Sequence, residues 1–191
     1  MERYKCLQKQ EFRKDEYAII PIRYEDRLDI MKWRNDQMYH LRQDKLLTEK
    51  DQELYFQRII LPSFNERLPA QILFSFVHNE KCIGYGGLVH INWQSKEAEV
   101  SFIMATELEA LDFEKNWVIF LHLLEKVAFT DLKFHRLVTY AFDLRPHLYK
   151  ALEISKYIEE ARLKNHYLFN DKLIDVVIHA KKNNYGNTQR R

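Results

Sequence analysis

The sequence predicts an α/β protein in which helices cover a mixed β-sheet, and two observations lead to this fold class. Short apolar runs typical of strands alternate with longer segments whose apolar residues have helical spacing. In the second half the order is strand, helix, strand, helix, strand, which is typical of helices packed on a sheet. Because 46% of the 191 residues are hydrophobic, the chain can bury a sizeable core.

The predicted elements follow one another in the order β-α-α-β-β-β-α-β-α-β-β, which gives about seven strands and about four helices. The strands are expected at Tyr17 to Arg23, Gln71 to His78, Cys82 to Ile91, Ala98 to Met104, Leu137 to Phe142, Tyr157 to Leu163 and Leu173 to Ala180. The helices are expected at Asp26 to Asn35, after Thr48, at Phe113 to Thr130 and from Pro146 onward.

Local signals support several of these boundaries. Thr48 is a typical N-cap residue, and the acidic Glu49 and Asp51 follow it in the first helical turn. Pro146 suits the first turn of a helix because its missing N–H would be unpaired there in any case. Pro21 cannot donate to a sheet and therefore predicts that the first strand lies near a sheet edge.

Composition excludes several classes of protein. A formal net charge of +2 with both signs mixed argues against a dedicated nucleic-acid binder. Two cysteines without a Cys/His cluster predict neither a disulfide framework nor a metal site. The longest apolar stretch, Val118 to Phe129, is interrupted by charged residues and is not expected to span a membrane. We therefore expect a reduced, cytoplasmic protein with one domain over residues 1–180 and a basic, disordered tail over 181–191.

Seven short strings resemble those of one known family and stand in the same order. They are Ile20 to Asp26, Trp33 to Asp36, Ile83 to Leu88, Ala98 to Phe102, Phe134 to Leu137, Glu160 to Leu163 and Ile174 to Val177. The strings resemble the GNAT acetyltransferases, in particular their RimJ/RimL-like branch, from about Ile19 to Ala180. The resemblance implies the GNAT fold and transfer of an acetyl group from acetyl-CoA, as co-substrate, to a primary amine.

The resemblance also implies where acetyl-CoA binds. In GNAT proteins the strands that correspond to Ala98–Met104 and Leu137–Phe142 splay apart. The pantetheine arm is expected to pair with the backbone at Phe102, Ile103 and Met104. The pyrophosphate is expected at the N-terminus of the helix that begins near Phe113, where unpaired N–H groups and the helix dipole favour an anion.

The loop before this helix departs from the family pattern (Q/R)-x-x-G-x-(G/A). It aligns with Asp112 to Trp117, so that Lys115 replaces the glycine and Trp117 replaces a small residue. Lys115, Asn116 and Arg145 are the residues we expect to contact the cofactor instead. Ordinary CoA binding by another geometry, a shifted CoA, a different donor and the loss of donor binding all remain open.

Glu99 and Tyr149 are the candidate catalytic residues that the resemblance implies. Glu99 lies on the strand where some GNAT enzymes hold a general base; alternatively it is a surface glutamate in an ion pair. Tyr149 lies three residues before the family's tyrosine position and on nearly the same helix face, which would suit a general acid for the CoA thiolate. A packing role in the core or on the surface is its alternative.

Arg34, His90 and Trp93 are the candidate acceptor-binding residues. His90 and Trp93 follow the strand near which the family receives its acceptor, and Arg34 belongs to the Trp-Arg-Asn string; each also has a purely structural interpretation. We expect a small-molecule amine, with a preference for an amino sugar, and a monomer or homodimer. The alternatives are a catalytically inactive GNAT-fold protein that binds a ligand or partner, and a nucleic-acid-associated modifier that uses the basic tail.

Overall fold

One eight-stranded sheet forms the centre of the protein in a computed structural model that describes residues 2–183. Its strands are β1 (Phe12–Lys14), β2 (Tyr17–Pro21), β3 (Ile72–His78), β4 (Lys81–Asn92), β5 (Glu97–Met104), β6 (Arg136–Phe142), β7 (Ile158–Phe169) and β8 (Lys172–Lys182). The strand order is β1-β2-β3-β4-β5-β6-β8-β7. Neighbours are antiparallel except β5 and β6, which run parallel.

Five helical segments accompany the sheet. They are α1 (Arg27–Asp36), α2 (Glu49–Tyr55) continuing through a π-helical segment (Phe56–Ile60) into α3 (Leu61–Ser63), α4 (Thr106–Leu111), α5 (Phe113–Glu125) ending in a second π-helical segment (Lys126–Asp131), and α6 (His147–Ile154). Two short 3₁₀ turns, Tyr24–Asp26 and Met38–His40, flank α1. The predicted α/β class with a mixed sheet is confirmed, with one more strand and one more helix than the sequence indicates.

The two additional elements are short, and this explains why the sequence does not reveal them. β1 has three residues and α4 has six, too few for a hydrophobic period to appear. β1 also changes the position of the predicted first strand, since it pairs with Tyr17–Ile19 of β2 and becomes the edge strand itself. Pro21 lies beyond the last of these pairs.

The start of α2 follows the sequence signal closely. Thr48 accepts a hydrogen bond from the Asp51 N–H at 3.1 Å, while the Asp51 carboxylate accepts from the Thr48 N–H at 3.0 Å. This reciprocal capping box satisfies two backbone donors that the helix would otherwise leave unpaired.

Aromatic packing between α5 and the sheet builds the centre of the core. Phe120 of α5 stacks on Phe102 of β5 with ring centroids 4.0 Å apart, and it meets the edge of Phe76 at 5.7 Å. At Gly86 of β4 an added Cβ would lie 2.1 Å from the Ser101 carbonyl oxygen. Glycine is therefore required here for β4 to approach β5, which holds β5 firmly under α5.

The N-terminal residues before Tyr17 also pack on the domain. Tyr4 is buried, and its hydroxyl donates to the Leu73 carbonyl and accepts from the Leu73 N–H, both at 2.9 Å. These two bonds occupy backbone groups at the end of β3 and secure the segment to the sheet.

At the C-terminus β8 extends two residues past the predicted domain boundary at residue 180. Lys181 and Lys182 are strand residues opposite Leu137 and Arg136. Lys181 Nζ also donates to Glu125 at 2.6 Å and to the Ser155 carbonyl at 2.9 Å. The remainder of the predicted tail, from residue 184, lies outside the described residues. Within residues 2–183 no helix is long and apolar enough to cross a membrane.

The separation of β5 from β6 is the feature of the sheet that creates a site. The two strands pair only at Glu97–Arg136, Ala98–Leu137 and Glu99–Val138. Beyond Glu99 they diverge, while β5 stays paired with β4 as far as Met104. The divergence expected from the family resemblance is therefore present, and it opens the sheet between two otherwise well-paired halves.

Candidate active site

A cleft of about 620 Å³ occupies the gap between the diverging strands. Its walls include Val100–Ile103 on β5 and Thr139–Phe142 on β6, with Trp117 of α5 between them. Residues from α1, β4 and the loop after the Met38–His40 turn line its other end. The cleft therefore has an aromatic end near α5 and α6 and a charged end near α1 and β4, which we call the donor end and the acceptor end.

Glu99 lies at the last pair before the strands diverge, facing the acceptor end. Its side chain is only 12% exposed, and it forms a close ion pair with Arg42. The second carboxylate oxygen lies 3.9 Å from His90 Nε2. The Arg42 guanidinium is also held over the Tyr140 ring, 4.9 Å from its centroid. A carboxylate, an imidazole and a guanidinium are thus gathered at one point of the cleft.

Two buried polar groups face the donor end without a hydrogen-bond partner. Trp117 is 4% exposed and Thr139 is 3% exposed, and both line the cleft. Trp117 Nε1 and Thr139 Oγ1 have no partner within the described part of the chain. Because an unpaired buried donor is costly, most such groups in folded proteins have a partner, which includes bound ligands and water. The donor end of the cleft therefore offers two unused hydrogen-bond donors to a bound molecule.

Arg145 forms the polar part of the donor end. It is buried, lies 3.3 Å from Glu109 of α4, and sits 5.5 Å from the centroid of Phe113, the first residue of α5. Burial lowers the pKa of Arg145 and raises the pKa of Glu109, whereas each partner's charge opposes the shift of the other. Both shifts report the cost of removing the two charges from water, which their attraction offsets only in part.

His40 lies in the cleft wall as a neutral side chain. Burial, reinforced by the charge of nearby Arg145, lowers its pKa from 6.5 to about 3. Its Nε2 lies 3.4 Å from Gln37 Oε1, an atom that only accepts, so we assign the ring proton to Nε2.

Arg34, in the last turn of α1, joins the cleft to a second cavity of about 220 Å³. Its Nη1 donates to the Tyr85 hydroxyl at 2.7 Å and its Nε donates to Gln43 at 3.0 Å. Among the described residues, no carboxylate lies within ion-pair distance of Arg34. The positive charge at the boundary of the two cavities is thus bound only by neutral groups.

The Acetyltransferase (GNAT) domain family matches residues 19–178. The chain belongs to this family. No curated protein matches the sequence.

Solved structures with the GNAT fold resemble it at low identity. Spermidine N-acetyltransferase from Vibrio cholerae in complex with CoA and spermine superposes with a TM-score of 0.76 at 18% identity, covering 89% of this chain and 97% of that chain. A dodecameric structure of spermidine N-acetyltransferase from Vibrio cholerae gives 0.73 at 19% identity, covering 93% and 100%. At this identity the likeness concerns the fold.

The GNAT cleft brings together six of the residues predicted from the sequence. They are Arg34, His90, Glu99, Phe102, Ile103 and Arg145. They come from α1, β4, β5 and the turn before α6, so only the folded chain places them side by side. The helix expected to begin near Phe113 begins at that residue.

Three predicted cofactor contacts lie outside the cleft lining. Lys115 turns away towards β2, where its Nζ lies 5.4 Å from the Tyr17 ring centroid. Asn116 is buried, and its side-chain amide points to Met104 Sδ at 3.9 Å. Met104 itself is fully buried, and its carbonyl accepts from Gln37. These side chains are engaged in packing, so the charge compensation expected of Lys115 is absent from the cleft.

Tyr149 and Trp93 also lie outside the cleft lining. The Tyr149 hydroxyl donates to Asp143 at 2.5 Å, and its ring stacks on His179. Burial, together with Asp143, raises the pKa of Tyr149 far above its ordinary range. Trp93 donates its indole N–H to the Pro69 carbonyl at 2.9 Å and meets Phe134 edge to face. Both side chains have structural partners that account for their positions.

Among the cleft-lining residues that sequence reasoning did not predict are Arg42, Thr139 and Tyr140. Arg42 stands in an irregular loop without a pattern, so no signal marked it. Thr139 and Tyr140 belong to a strand that was predicted. Because this strand was expected to diverge from its neighbour, the polar residues in its diverging part could have been predicted to line the cleft.

Proposed function

We propose that this chain is an N-acetyltransferase that moves an acetyl group from acetyl-CoA to a primary amine. The observation that carries the proposal is the opening of the sheet directly beyond Glu99, which leaves a carboxylate facing a cleft between β5 and β6. Membership of the GNAT family supports the same reaction class.

The donor end fits an acyl-CoA in three respects. Trp117 Nε1 and Thr139 Oγ1 are unpaired donors, suited to carbonyl or phosphate oxygens. The β5 edge from Val100 onward has no β6 partner, so an amide-bearing arm would find backbone groups there. Arg145 lies beside the first residue of α5, where a guanidinium and a helix N-terminus both favour an anion.

The reaction needs a base for the amine and close approach of the two substrates. Acetyl-CoA supplies a thioester, whose C–S bond breaks as the amine nitrogen bonds to the carbonyl carbon and the sulfur leaves as a thiolate. In our proposal Glu99 takes the proton that the ammonium or amine must lose, directly or through one water. Arg42 and His90 hold that carboxylate in place, and the narrow cleft aligns the two substrates.

The acceptor enters, in this proposal, from the end lined by Arg34, Gln71 and His90. The near-neutral composition, with a formal net charge of +2 and both signs mixed, favours a small amine, with an amino sugar preferred over a protein N-terminus. Polyamine acetylation is a property of the structural neighbours, and the low identity does not transfer it. A monomer or homodimer stays our prediction for the assembly, although one neighbour is a dodecamer.

A catalytically inactive binding protein is the competing hypothesis, and the loop before α5 favours it. Asp112 and Glu114 flank the start of the helix, while Lys115 turns away to Tyr17. Lys150, an exposed cation of α6, is paired with Glu114 at 2.8 Å. Of the two cations expected to contact a pyrophosphate, Lys115 and Arg145, only Arg145 lines the cleft.

A thermal denaturation titration with acetyl-CoA and CoA separates the two hypotheses. A ligand that binds only the folded state stabilises it by about 2.7 kcal/mol when present at about 100 times Kd. We expect a concentration-dependent rise in melting temperature, followed by amine-dependent release of free thiol. No rise at millimolar ligand would contradict the proposal and support the inactive alternative.

A further inference from the structure

We infer that the amine acceptor carries an anionic group, a carboxylate or phosphate, bound by Arg34 together with the Tyr55 and Tyr85 hydroxyls in the 220 Å³ cavity beside the cleft. This inference rests on the proposed acetyl transfer and names the substrate class of the same site.

The first support is the position of Arg34. Arg34 lines both the cleft that contains Glu99 and the smaller cavity. An acceptor with its amine near Glu99 would therefore meet Arg34 as it extends into the smaller cavity. The other two arginines of the cleft are already paired, Arg42 with Glu99 and Arg145 with Glu109. Arg34 is the cleft arginine for which the described residues supply no carboxylate partner.

The second support is a set of unused donors around that charge. The Tyr85 hydroxyl accepts from Arg34 at 2.7 Å, and the Tyr55 hydroxyl accepts from Gln71 Nε2 at 2.7 Å. Neither hydroxyl proton has an acceptor among the described residues. A guanidinium and two hydroxyl donors that share one cavity suit a bound oxyanion.

Among the described residues, two carboxylates line the two cavities, and neither forms an ion pair with Arg34. Asp51 also lines the smaller cavity, but its carboxylate accepts from the Thr48 N–H and from the Thr48 hydroxyl, at 3.0 and 2.7 Å, as the cap of α2. In the cleft itself Glu99 is the one carboxylate among the described lining residues, against three arginines. A polycationic acceptor would meet repulsion from Arg34, which has no carboxylate partner among the described residues, so this site disfavours polyamines.

Matched acceptor pairs that differ in one anionic group test the inference. The pairs are glucosamine 6-phosphate against glucosamine, and β-alanine against propylamine, with spermidine as the polycation. The first pair reports a phosphate and the second a carboxylate. We expect kcat/KM for the anionic member of at least one pair to exceed, by about tenfold or more, that for spermidine and that for the member without the anionic group, which we call the neutral member because its remainder is uncharged apart from the shared amine. Tenfold is the scale of a hydrogen bond to a charged group.

Arg34→Gln is then expected to cut that preference at least about fivefold, because KM for the anionic member rises more than KM for the neutral member. Arg34→Lys should restore part of the preference. The control is Lys32→Gln on the same helix, since Lys32 is exposed and lies outside both cavities. If Arg34→Gln fails to fold, Tyr55→Phe replaces it, with a smaller loss in the same direction.

Three results would overturn the inference: a preference for the neutral member or for spermidine, equal losses for both members in Arg34→Gln, or no calorimetric binding of either anionic amine to the wild-type protein. Acetyl-CoA is titrated into the same samples. Stabilisation by acetyl-CoA with any of these results would remove the inference and leave the proposed acetyl transfer standing. Absence of acetyl-CoA binding would remove the acetyl transfer, whereas calorimetry with the amines would still report on Arg34.

Discussion

The two ends of the cleft differ in how they present polar groups. The donor end is built on aromatic packing, in which Trp117 meets the edge of Phe102 at 5.1 Å, and its unused donors are neutral. The acceptor end gathers Arg34, Arg42 and Glu99, most of which already have partners. An apolar wall with a few fixed donors suits a long, mostly neutral arm, and a charged wall suits a small ionic molecule. The donor and acceptor ends can therefore be perturbed separately by mutation.

The largest effect should come from removing the carboxylate at the junction of the two ends. In Glu99→Gln we expect kcat to fall by about 10²–10⁴-fold, the range for a lost general base, with KM for acetyl-CoA little changed. Steady-state kinetics measures this. Glu97→Gln is the matched control, since Glu97 lies on the same strand but pairs with Arg136 at 2.9 Å. Equal activity in both variants would contradict a role for Glu99 as base.

Acid sensitivity is the next expected effect, and it comes from His40 in the cleft wall. Since the folded pKa of His40 is about 3 and its ordinary value is 6.5, the unfolded chain binds a proton that the folded chain does not. The free energy of unfolding should therefore fall as the pH falls from 6.5 towards 3, by about 2 kcal/mol between about pH 7.5 and pH 5. Urea denaturation at the two pH values measures it.

His40→Gln should remove the contribution of His40 to the pH dependence of the free energy of unfolding. The exposed His135→Gln serves as the control and should retain it. If both variants lose stability with acid as steeply as the wild type, His40 is not the group responsible.

At the donor end, one substitution should maintain or raise the stability of the ligand-free protein and moderately lower its affinity for acetyl-CoA. Thr139→Val keeps the side-chain shape and removes an unpaired buried hydroxyl, so the ligand-free protein should be equally stable or about 1 kcal/mol more stable. Affinity for acetyl-CoA should fall by roughly threefold to tenfold, because one hydrogen bond is lost. Thermal denaturation with and without ligand measures both. Unchanged affinity would mean that Thr139 does not contact the donor.

The smallest effect concerns Tyr149. Its hydroxyl is held by Asp143 and lies outside the cleft lining, so Tyr149→Phe should keep kcat within about threefold while lowering stability by about 1 kcal/mol. If turnover instead falls by about 100-fold or more while stability is unchanged, the general-acid role that the family resemblance implies would be restored.

Most of the fold could be predicted from the sequence because long helices and strands show a periodic pattern of hydrophobic residues. α5 begins at the residue predicted, and the Thr48 cap forms as expected. β1 and α4 were missed because three and six residues are too short for such a signal. In the site, Glu99 and Arg34 were predicted through family strings. The direction in which the Lys115 side chain points depends on how α5 is rotated relative to β2. No local sequence pattern predicts this rotation.

The central claim is that an amine is acetylated at the junction of the two ends, and product formation tests it most directly. Purified protein is incubated with acetyl-CoA and the matched amines, and the N-acetylated product is quantified by mass spectrometry for the wild type and for Glu99→Gln. We predict product that requires both substrates and falls by about 100-fold or more in the variant. No product above the protein-free background with any of the amines, or equal product from both proteins, would contradict the account.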